Sequence, residues 1–445
     1  MGKYFGTDGF RGRVNTELTV RHAYAIGRFL GRRFATETRG ARIIVGRDTR
    51  ISGDMIYHAI CAGVHSLGGD VYDMHVASTP EVSFALRCGV FDCGVMISAS
   101  HNAFYDNGIK LISREGEKMS DDITAEAEAY IDIYMSRGDD RFCGDMTGTT
   151  TDLCEMRERY IDDIAANVDL GGMRICVDCA NGSAASYAAE IFSRCGADAL
   201  IINDKPSGTN INLNCGSTNV AMMREVVLRN GLCAGFAFDG DADRCICVDG
   251  RGSIVDGDKM IYILARRLYR QGRLFGKKAV LTVMSNGGAV KALDECGIGC
   301  EITAVGDRHV YERMKKLGLT LGGEPSGHII IGDRGVTGDG ILTAVEICRE
   351  MCEREAKLFE LCDIEMFPVM AANLPISRFA EDIDGRIFEI SDKITRDMRG
   401  KGRIIIRKSG TEPLIRIRAE CEDEYICKKY FDTAVLDVRR ITDGE

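Results

Sequence analysis

The chain has 445 residues, 45 % hydrophobic and 28 % charged, the balance of a folded globular protein and not of a disordered one. A formal charge of −10 with no Trp argues against sequence-independent nucleic-acid binding, and no apolar run approaches the about 18 residues of a membrane span. The surplus of Gly (51, against 6 Pro) points to tight loops between regular elements rather than flexible linkers.

In chain order, β-type runs alternate with amphipathic helical runs, and three stretches share one plan. Residues 42–75 read as a strand (RIIVGRD), a Ser/Gly/Asp turn, a helix from Met55 to Leu67, Gly68-Gly69 and a second strand. Residues 174–203 repeat it as RICVDCANG, a helix from Ser183, Cys195-Gly196 and ADALII. Residues 278–305 do so again as KAVLTVMSNGG, a helix, Cys296-Gly297 and CEITAV. The first strands, at Ile43, Ile175 and Val280, are 132 and 105 residues apart, too irregular for a solenoid. Three related α/β units, each with its own core, are therefore expected. Each runs on into a Gly-rich loop between β-like runs: CGVMISASHNAFYDNGIKLI, AGFAFDGDADRCICVD and LTLGGEPSGHIIIGD. Boundaries fall in 137–152, in 249–257 and around Pro368 and Pro375. A helix near 386–398, strands RIIIRK and PLIRIRAE, and a closing helix near 424–440 complete the chain. The expected fold is α/β, with three related domains of mixed sheets (1–150, 151–252, 253–366) and a smaller C-terminal α+β domain (367–445).

The start, MGKYFGTDGFRGR, has no signal-peptide core. The 19 Cys are scattered, and the lone C-x-x-C, Cys176 to Cys179, lies in an apolar strand pattern. Reduced, mostly buried thiols and a cytoplasmic location are expected.

Four loops carry chemistry. In Asp239-Gly-Asp241-Ala-Asp243-Arg244, carboxylates at alternate positions can converge on a hard cation, and oxygen-only ligands favour Mg²⁺. A solvated acidic turn is the commoner account of D-x-D, but three carboxylates between two apolar runs repel one another without a cation. An EF-hand is excluded, because Arg244 and Gly250 stand where Gly and Glu are required. Ser98-Ala99-Ser100-His101-Asn102 is no hydrolase dyad, since adjacent side chains diverge and no G-x-S-x-G is present. A serine that carries a phosphoryl group needs a cation and donors for its oxygens, and the acidic loop offers the cation; a plain turn is the alternative. Lys110 lies among apolar neighbours in NGIKLI, where desolvation lowers a lysine pKa and lets it shuttle protons; a snorkelling lysine fits equally well. Glu324 and Ser326 in GGEPSGH are spaced to hydrogen-bond adjacent sugar hydroxyls, or belong to a hairpin turn. Residues 401–420 carry six bases and two acids, and Arg407, Ser409, Gly410, Thr411 and Arg416 suit a phosphate. The absence of a Walker A or G-x-G-x-x-G sequence disfavours an ordinary nucleotide site.

Together and in this order, the loops resemble the α-D-phosphohexomutase superfamily, from GTDGFRG at 6–12 to SGTEPLIR at 409–416. SHN-x-FYDNGIK, NIN-x-NCGST at 210–218, GGE-x-SGHII, TGDGILTA at 337–344 and RKSGTEPLIR are most similar to its bacterial phosphoglucosamine mutase branch. The resemblance implies four domains around a central cleft, with the last one mobile. It implies phosphorylation of Ser100 and Mg²⁺ on Asp239, Asp241, Asp243 and a serine phosphate oxygen. Arg11, His101, Lys110 and His328 match positions tied to proton transfer and phosphate stabilisation, with Arg244 beside them. Glu324 and Ser326 match the sugar contacts, and Arg407, Ser409, Gly410, Thr411 and Arg416 the loop that grips the non-reacting phosphate. The implied activity is interconversion of glucosamine 6-phosphate and glucosamine 1-phosphate through a 1,6-bisphosphate, which also serves as activator, feeding UDP-N-acetylglucosamine synthesis. A monomer or homodimer with a small phosphosugar as partner, and neither nucleic acid nor membrane, is expected. Alternatives are a glucose- or mannose-phosphate mutase, a phosphosugar phosphatase, or a non-catalytic phosphosugar-binding protein. Departures from the pattern are Ala103 for the Pro of SHNP, expected to loosen the serine loop, Ala242 for the second Gly of DGDGDR, Pro325 and Asn219.

Overall fold

A computed structural model describes residues 2–138, 146–375, 382–408 and 414–443. They fall into two compact units, Met1–Met284 with Ile298–Asp363, and Ser285–Gly297 with Ile364–Glu445.

The first unit holds three sheets. The first contains β1 (Phe5–Gly6), β2 (Gly9–Arg13), β3 (Arg42–Arg47), β4 (Asp70–Val76), β5 (Cys93–Ile97), β6 (Asp106–Ser113) and β7 (Thr150–Asp152), in the order β1-β2-β6-β5-β3-β4-β7. The second contains β8 (Arg174–Asp178), β9 (Asp198–Ile202), β10 (Ala234–Phe238), β11 (Cys245–Asp249) and β12 (Ile254–Val255), ordered β12-β11-β10-β8-β9. The third contains β13 (Lys278–Thr282), β14 (Gly299–Thr303), β15 (Leu321–Gly323) and β16 (Ile329–Ile331), ordered β14-β13-β15-β16.

One four-strand plan recurs in all three. The first strand pairs in parallel with the second and the third, and the third turns back antiparallel into the fourth. The expected kinship of the three units is thus a shared strand order, β6-β5-β3-β4, β11-β10-β8-β9 and β16-β15-β13-β14. Strands such as CGVMI and AGFAF are buried along their whole length, because parallel strands are covered on both faces. Such runs show no alternation in the sequence.

Two expectations change. The helix read from Ser183 is a 3₁₀ turn, Ser183–Ser186, followed by a helix at Ala188–Arg194. The turn-like stretches read as boundaries hold short strands, since Thr150–Asp152 joins β4 and Ile254–Val255 joins β11.

In the second unit, β17 (Val369–Pro375), β18 (Gly402–Lys408) and β19 (Leu414–Cys421) form an antiparallel sheet with β19 central. Its alternating burial is that of a sheet with one covered face. Ile387, Ile394, Ile404, Ile406, Ile415 and Ile417 form its core with the helices Ile383–Asp397 and Glu424–Asp443. Pro375 closes an edge strand, where its missing N–H costs nothing. Among the described residues, no helix is long and apolar enough to cross a membrane.

Candidate active site

The repeated plan puts three of the four loops at one topological position. Ser98–Asn102 follows β5, Asp239–Arg244 follows β10 and Glu324–His328 follows β15, each in the turn between the third and fourth strands of its sheet.

Ser100 is buried and takes a left-handed φ of +53°. Its amide donates to Ser98 Oγ at 2.9 Å, and its hydroxyl donates to Asp239 Oδ2 at 2.6 Å. Ser98 Oγ in turn donates to Asp48 Oδ2 at 2.7 Å. Behind the loop lies the fully buried pair Arg50–Asp48, at 2.9 Å. The Arg50 guanidinium donates to the carbonyls of Ser100, Asn102, Ala103 and Asp106. Asn212 Nδ2 donates to the Ser100 and Asn102 carbonyls, at 2.9 and 3.1 Å. A planar five-donor cation suits this fan of carbonyls. The Ala103 carbonyl is one of its targets, so the loop is held at the position where loosening was expected.

Asp239, Asp241 and Asp243 are buried, and one carboxylate oxygen of each lies within 4.8 Å of the others. The loop is bent by Ala242 at φ +54° and admits no side chain at Gly240, where a Cβ would stand 2.6 Å from the Ser100 carbonyl. Burial, with Asp243 and Asp241 alongside, pushes the Asp239 carboxyl up to about 8. Lys110 Nζ donates to Asp241 Oδ2 at 2.6 Å and Asp243 Oδ2 at 2.9 Å. Asp241 Oδ1 and Asp243 Oδ1 are buried and make no hydrogen bond. Two buried carboxylate oxygens that accept no hydrogen bond, beside a carboxyl that resists ionisation, fit a divalent cation.

The desolvated, proton-shuttling lysine is corrected here. Burial does oppose the charge on Lys110, but Asp241 and Asp243 outweigh it and the pKa rises. The side chain is held as an ammonium. The expected divergence of Ser100 and His101 is corrected as well: with Ser100 left-handed, Oγ and Nδ1 stand 3.4 Å apart. They still form no dyad, because Arg244 Nη1 donates to the same Nδ1 at 2.9 Å and the serine proton goes to Asp239. Burial and the Arg244 and Arg11 cations bring the His101 pKa down to about 4.

Arg11, on β2 opposite Gly108 of β6, lies 3.3 Å from Asp8, which also accepts from Lys118 at 2.7 Å. Lys118 reaches on to Asp307 at 2.5 Å, tying the 6–12 segment to the helix Asp307–Leu317. In the third loop, buried Glu324 accepts from the Gly306 amide at 2.9 Å, whereas Ser326 is exposed. His328 is buried, with Nδ1 3.8 Å from Asp243 Oδ1. The Gly338 amide donates to Nε2 at 2.9 Å, so Nδ1 carries the imidazole proton on the side of Asp243. Both nitrogens are engaged.

Ser100, His101, Lys110, Arg11, Arg244, the three Asp, Glu324 and His328 therefore belong to one connected set in the first unit. Arg407 and Arg416 face each other in register on β18 and β19 of the second unit. Ser409, Gly410 and Thr411 lie outside the described residues.

Sequence reasoning gave no role to Asp48, Arg50, Asn212, Lys118, Asp307 and Gly338. Two signals were present, since Asn212 lies in NIN-x-NCGST and Gly338 in TGDGILTA. Gly338 and Gly340 admit no Cβ, which would stand 2.5 Å from His328 Nε2 and 2.4 Å from the Arg244 carbonyl. Lys118 and Arg50 gave no signal, being single bases in polar stretches.

The chain is similar to known proteins along its length. Models of phosphoglucomutase/phosphomannomutase alpha/beta/alpha domains I, II and III match residues 2–137, 158–252 and 256–367, and the C-terminal domain model matches 361–436. A phosphoglucosamine mutase of Lachnospira eligens is 44 % identical, with 98 % of each chain covered. One from Streptococcus thermophilus is 44 % identical over the whole of both chains. A phosphoglucomutase/phosphomannomutase family protein of Burkholderia thailandensis has the same fold, with a TM-score of 0.82 at 21 % identity over 100 % of this chain and 99 % of that one. The N-acetylphosphoglucosamine mutase of Aspergillus fumigatus, crystallised with GlcNAc-6P and magnesium, gives 0.64 at 16 % identity over 99 % and 96 %. With all four domain models matched and full-length relatives above two-fifths identity, this chain belongs to the phosphoglucomutase/phosphomannomutase family.

Proposed function

We propose that the chain interconverts glucosamine 6-phosphate and glucosamine 1-phosphate, carrying the transferable phosphoryl group on Ser100. The observation that carries this reading is the Ser100 hydroxyl, 2.6 Å from Asp239 in a buried three-carboxylate loop with two oxygens that accept no hydrogen bond. Full-length relatives at 41–44 % identity that are phosphoglucosamine mutases, those of Lachnospira eligens, Lachnoclostridium phytofermentans and Streptococcus thermophilus among them, support the choice of sugar.

In the first half-reaction the Ser100 Oγ–P bond breaks as a bond forms from phosphorus to the free hydroxyl oxygen of the bound sugar phosphate, whose proton ends on Ser100 Oγ, giving a 1,6-bisphosphate and a free serine hydroxyl. That sugar turns over, and its other phosphate returns to Ser100. Externally supplied bisphosphate primes the serine. One oxygen each from Asp239, Asp241 and Asp243, with a serine phosphate oxygen, would hold Mg²⁺, which supplies charge neutralisation at the transferred group. Arg244 and Arg11 add fixed positive charge. Lys110, held as an ammonium, stabilises anionic oxygens. His101, neutral near pH 7, accepts from Arg244 and so orients it. Glu324 and Ser326 are assigned to the sugar hydroxyls, and Arg407, Ser409, Gly410, Thr411 and Arg416 to the phosphate that does not react.

The test is a panel of glucosamine, glucose and mannose phosphates, primed with the matching bisphosphate and run with and without Mg²⁺. Turnover is expected to be highest for glucosamine phosphates and to need the cation. Were glucosamine the poorest substrate, the sugar assignment would be wrong. Stoichiometric release of inorganic phosphate instead of isomer exchange would make the chain a phosphatase, and undiminished turnover in Ser100→Ala would rule out the phosphoserine.

A further inference from the structure

His75, Asp152 and Cys154 stand together at the β7 edge of the first sheet, with β3 and β4 between this edge and the strand that carries the serine loop. β7 pairs in parallel with β4, and Asp152 is in register with Asp73. Two residues beyond Asp73, His75 has a φ of +54°, an uncommon backbone for a residue with a Cβ. Its Nε2 lies 2.9 Å from Asp152 Oδ2. The Cys154 amide donates to the other oxygen of Asp152 at 2.8 Å, which brings the thiol to the same side. One donor atom from each of the three residues lies within 4.8 Å of the others. Ligands of one tetrahedral zinc, each about 2.0–2.3 Å from the ion, stand roughly 3.3–3.8 Å apart, so the His75–Asp152 pair at 2.9 Å would open slightly to admit the ion while the thiol stays within 4.8 Å of both.

A second observation points the same way. His75 Nδ1 lies 3.4 Å from Asp73 Oδ2, while Asp73 Oδ1 is fixed by Arg47 at 2.8 Å and by the His75 amide at 2.7 Å. A carboxylate behind one imidazole nitrogen, with the other nitrogen aimed at further donors, is the arrangement that holds a histidine as a metal ligand. The donor set is one nitrogen, one sulfur and one oxygen. It is softer than the all-oxygen Asp239–Asp241–Asp243 set and suits a different class of ion.

We propose that His75, Asp152 and Cys154 form a site for a borderline-soft divalent cation, zinc above all, distinct from the carboxylate site. Three protein donors leave a fourth position for water. The ion would pin β7 and the start of the helix Glu155–Ala165 onto β4, where the chain leaves the first sheet for the second.

The probe is Co²⁺, titrated into the full chain saturated with Mg²⁺. One equivalent is expected to bind with a thiolate-to-cobalt charge-transfer band in the near ultraviolet, displaced by Zn²⁺. Cys154→Ser should remove the band and His75→Ala should weaken binding at least about tenfold, both with wild-type circular dichroism and turnover. Asp241→Asn should leave the band intact. No thiolate band in the wild type overturns the proposal. So does a band that survives Cys154→Ser, which would place the ion on another thiol such as the exposed Cys88 or Cys233.

Discussion

Ser100 and Ala242 are left-handed without being glycine, at φ +53° and +54°. For Ser100 the strain has a return, since this backbone lets the amide take Ser98 Oγ while the hydroxyl reaches Asp239. Ala242 gains no such contact from its methyl, and the conformation costs an L-residue on the order of 1 kcal/mol. Ala242→Gly should therefore raise stability by roughly 0.5–1 kcal/mol in urea unfolding, with turnover unchanged; a lower midpoint would show that the buried methyl packs better than it strains. Arg50 is the opposite case. Arg50→Met removes the guanidinium donor from four carbonyls, of which Ser100 and Asn102 keep Asn212, and leaves Asp48 buried without its cation, a loss of about 3–5 kcal/mol. Denaturant unfolding should show it, and Arg50→Lys, which lacks the fork, should rescue little of the turnover.

At the scale of elements, the turn between the third and fourth strands is where each sheet presents chemistry, and neighbouring turns meet backbone to backbone. Gly240 against the Ser100 carbonyl is the tightest such approach between the serine and carboxylate loops. Gly240→Ala should force the two loops apart, lowering kcat about 100-fold and lowering the unfolding midpoint as well. A mutant with normal kcat would mean that the loops have slack. The helix Thr79–Cys88 starts with a Ser78–Glu81 capping box, and Glu81 is buried beside Arg157. Burial pushes the Glu81 carboxyl from 4.5 up to about 7, partly offset by Arg157. A carboxyl raised on folding stabilises most below its unfolded value and loses that contribution as pH climbs through the folded one. From pH 5 to pH 8 this loss is worth roughly 3 kcal/mol. Glu81→Gln should flatten the fall in stability over that window, which urea unfolding at each pH would measure; an unchanged slope would remove Glu81 as its source.

For the whole molecule, the −10 charge and the anionic substrate are reconciled by placement. Arg11, Lys110, Lys118 and Arg244 gather around Asp8 and the carboxylate loop and offset those carboxylates, so the bulk charge does not describe the site. One oxygen each of Asp241 and Asp243 accepts no hydrogen bond, and a cation bound there should stabilise the fold by mass action. At 100 times its Kd, Mg²⁺ should add about 2.7 kcal/mol to unfolding. The shift should vanish in Asp241→Asn if this loop is the site, and persist if the ion binds elsewhere.

The primary structure alone was enough to expose the repeated α/β plan, because central strands such as AGFAF and CGVMI are continuous apolar runs and the loops after them are rich in Gly and charge. It also held the residue types of the site: three carboxylates at alternate positions between two apolar runs point to a hard-cation loop. What it left undecided is how far one loop acts on another. Lys110 read alone is a lysine in an apolar strand with a depressed pKa; two carboxylates from the second sheet reverse the sign. Arg50 read alone is an ordinary base, and only the folded chain places its fork under four carbonyls of a loop about fifty residues away. Electrostatic coupling and hydrogen-bond satisfaction depend on distances across the fold, and those are set by packing rather than by neighbours in the chain.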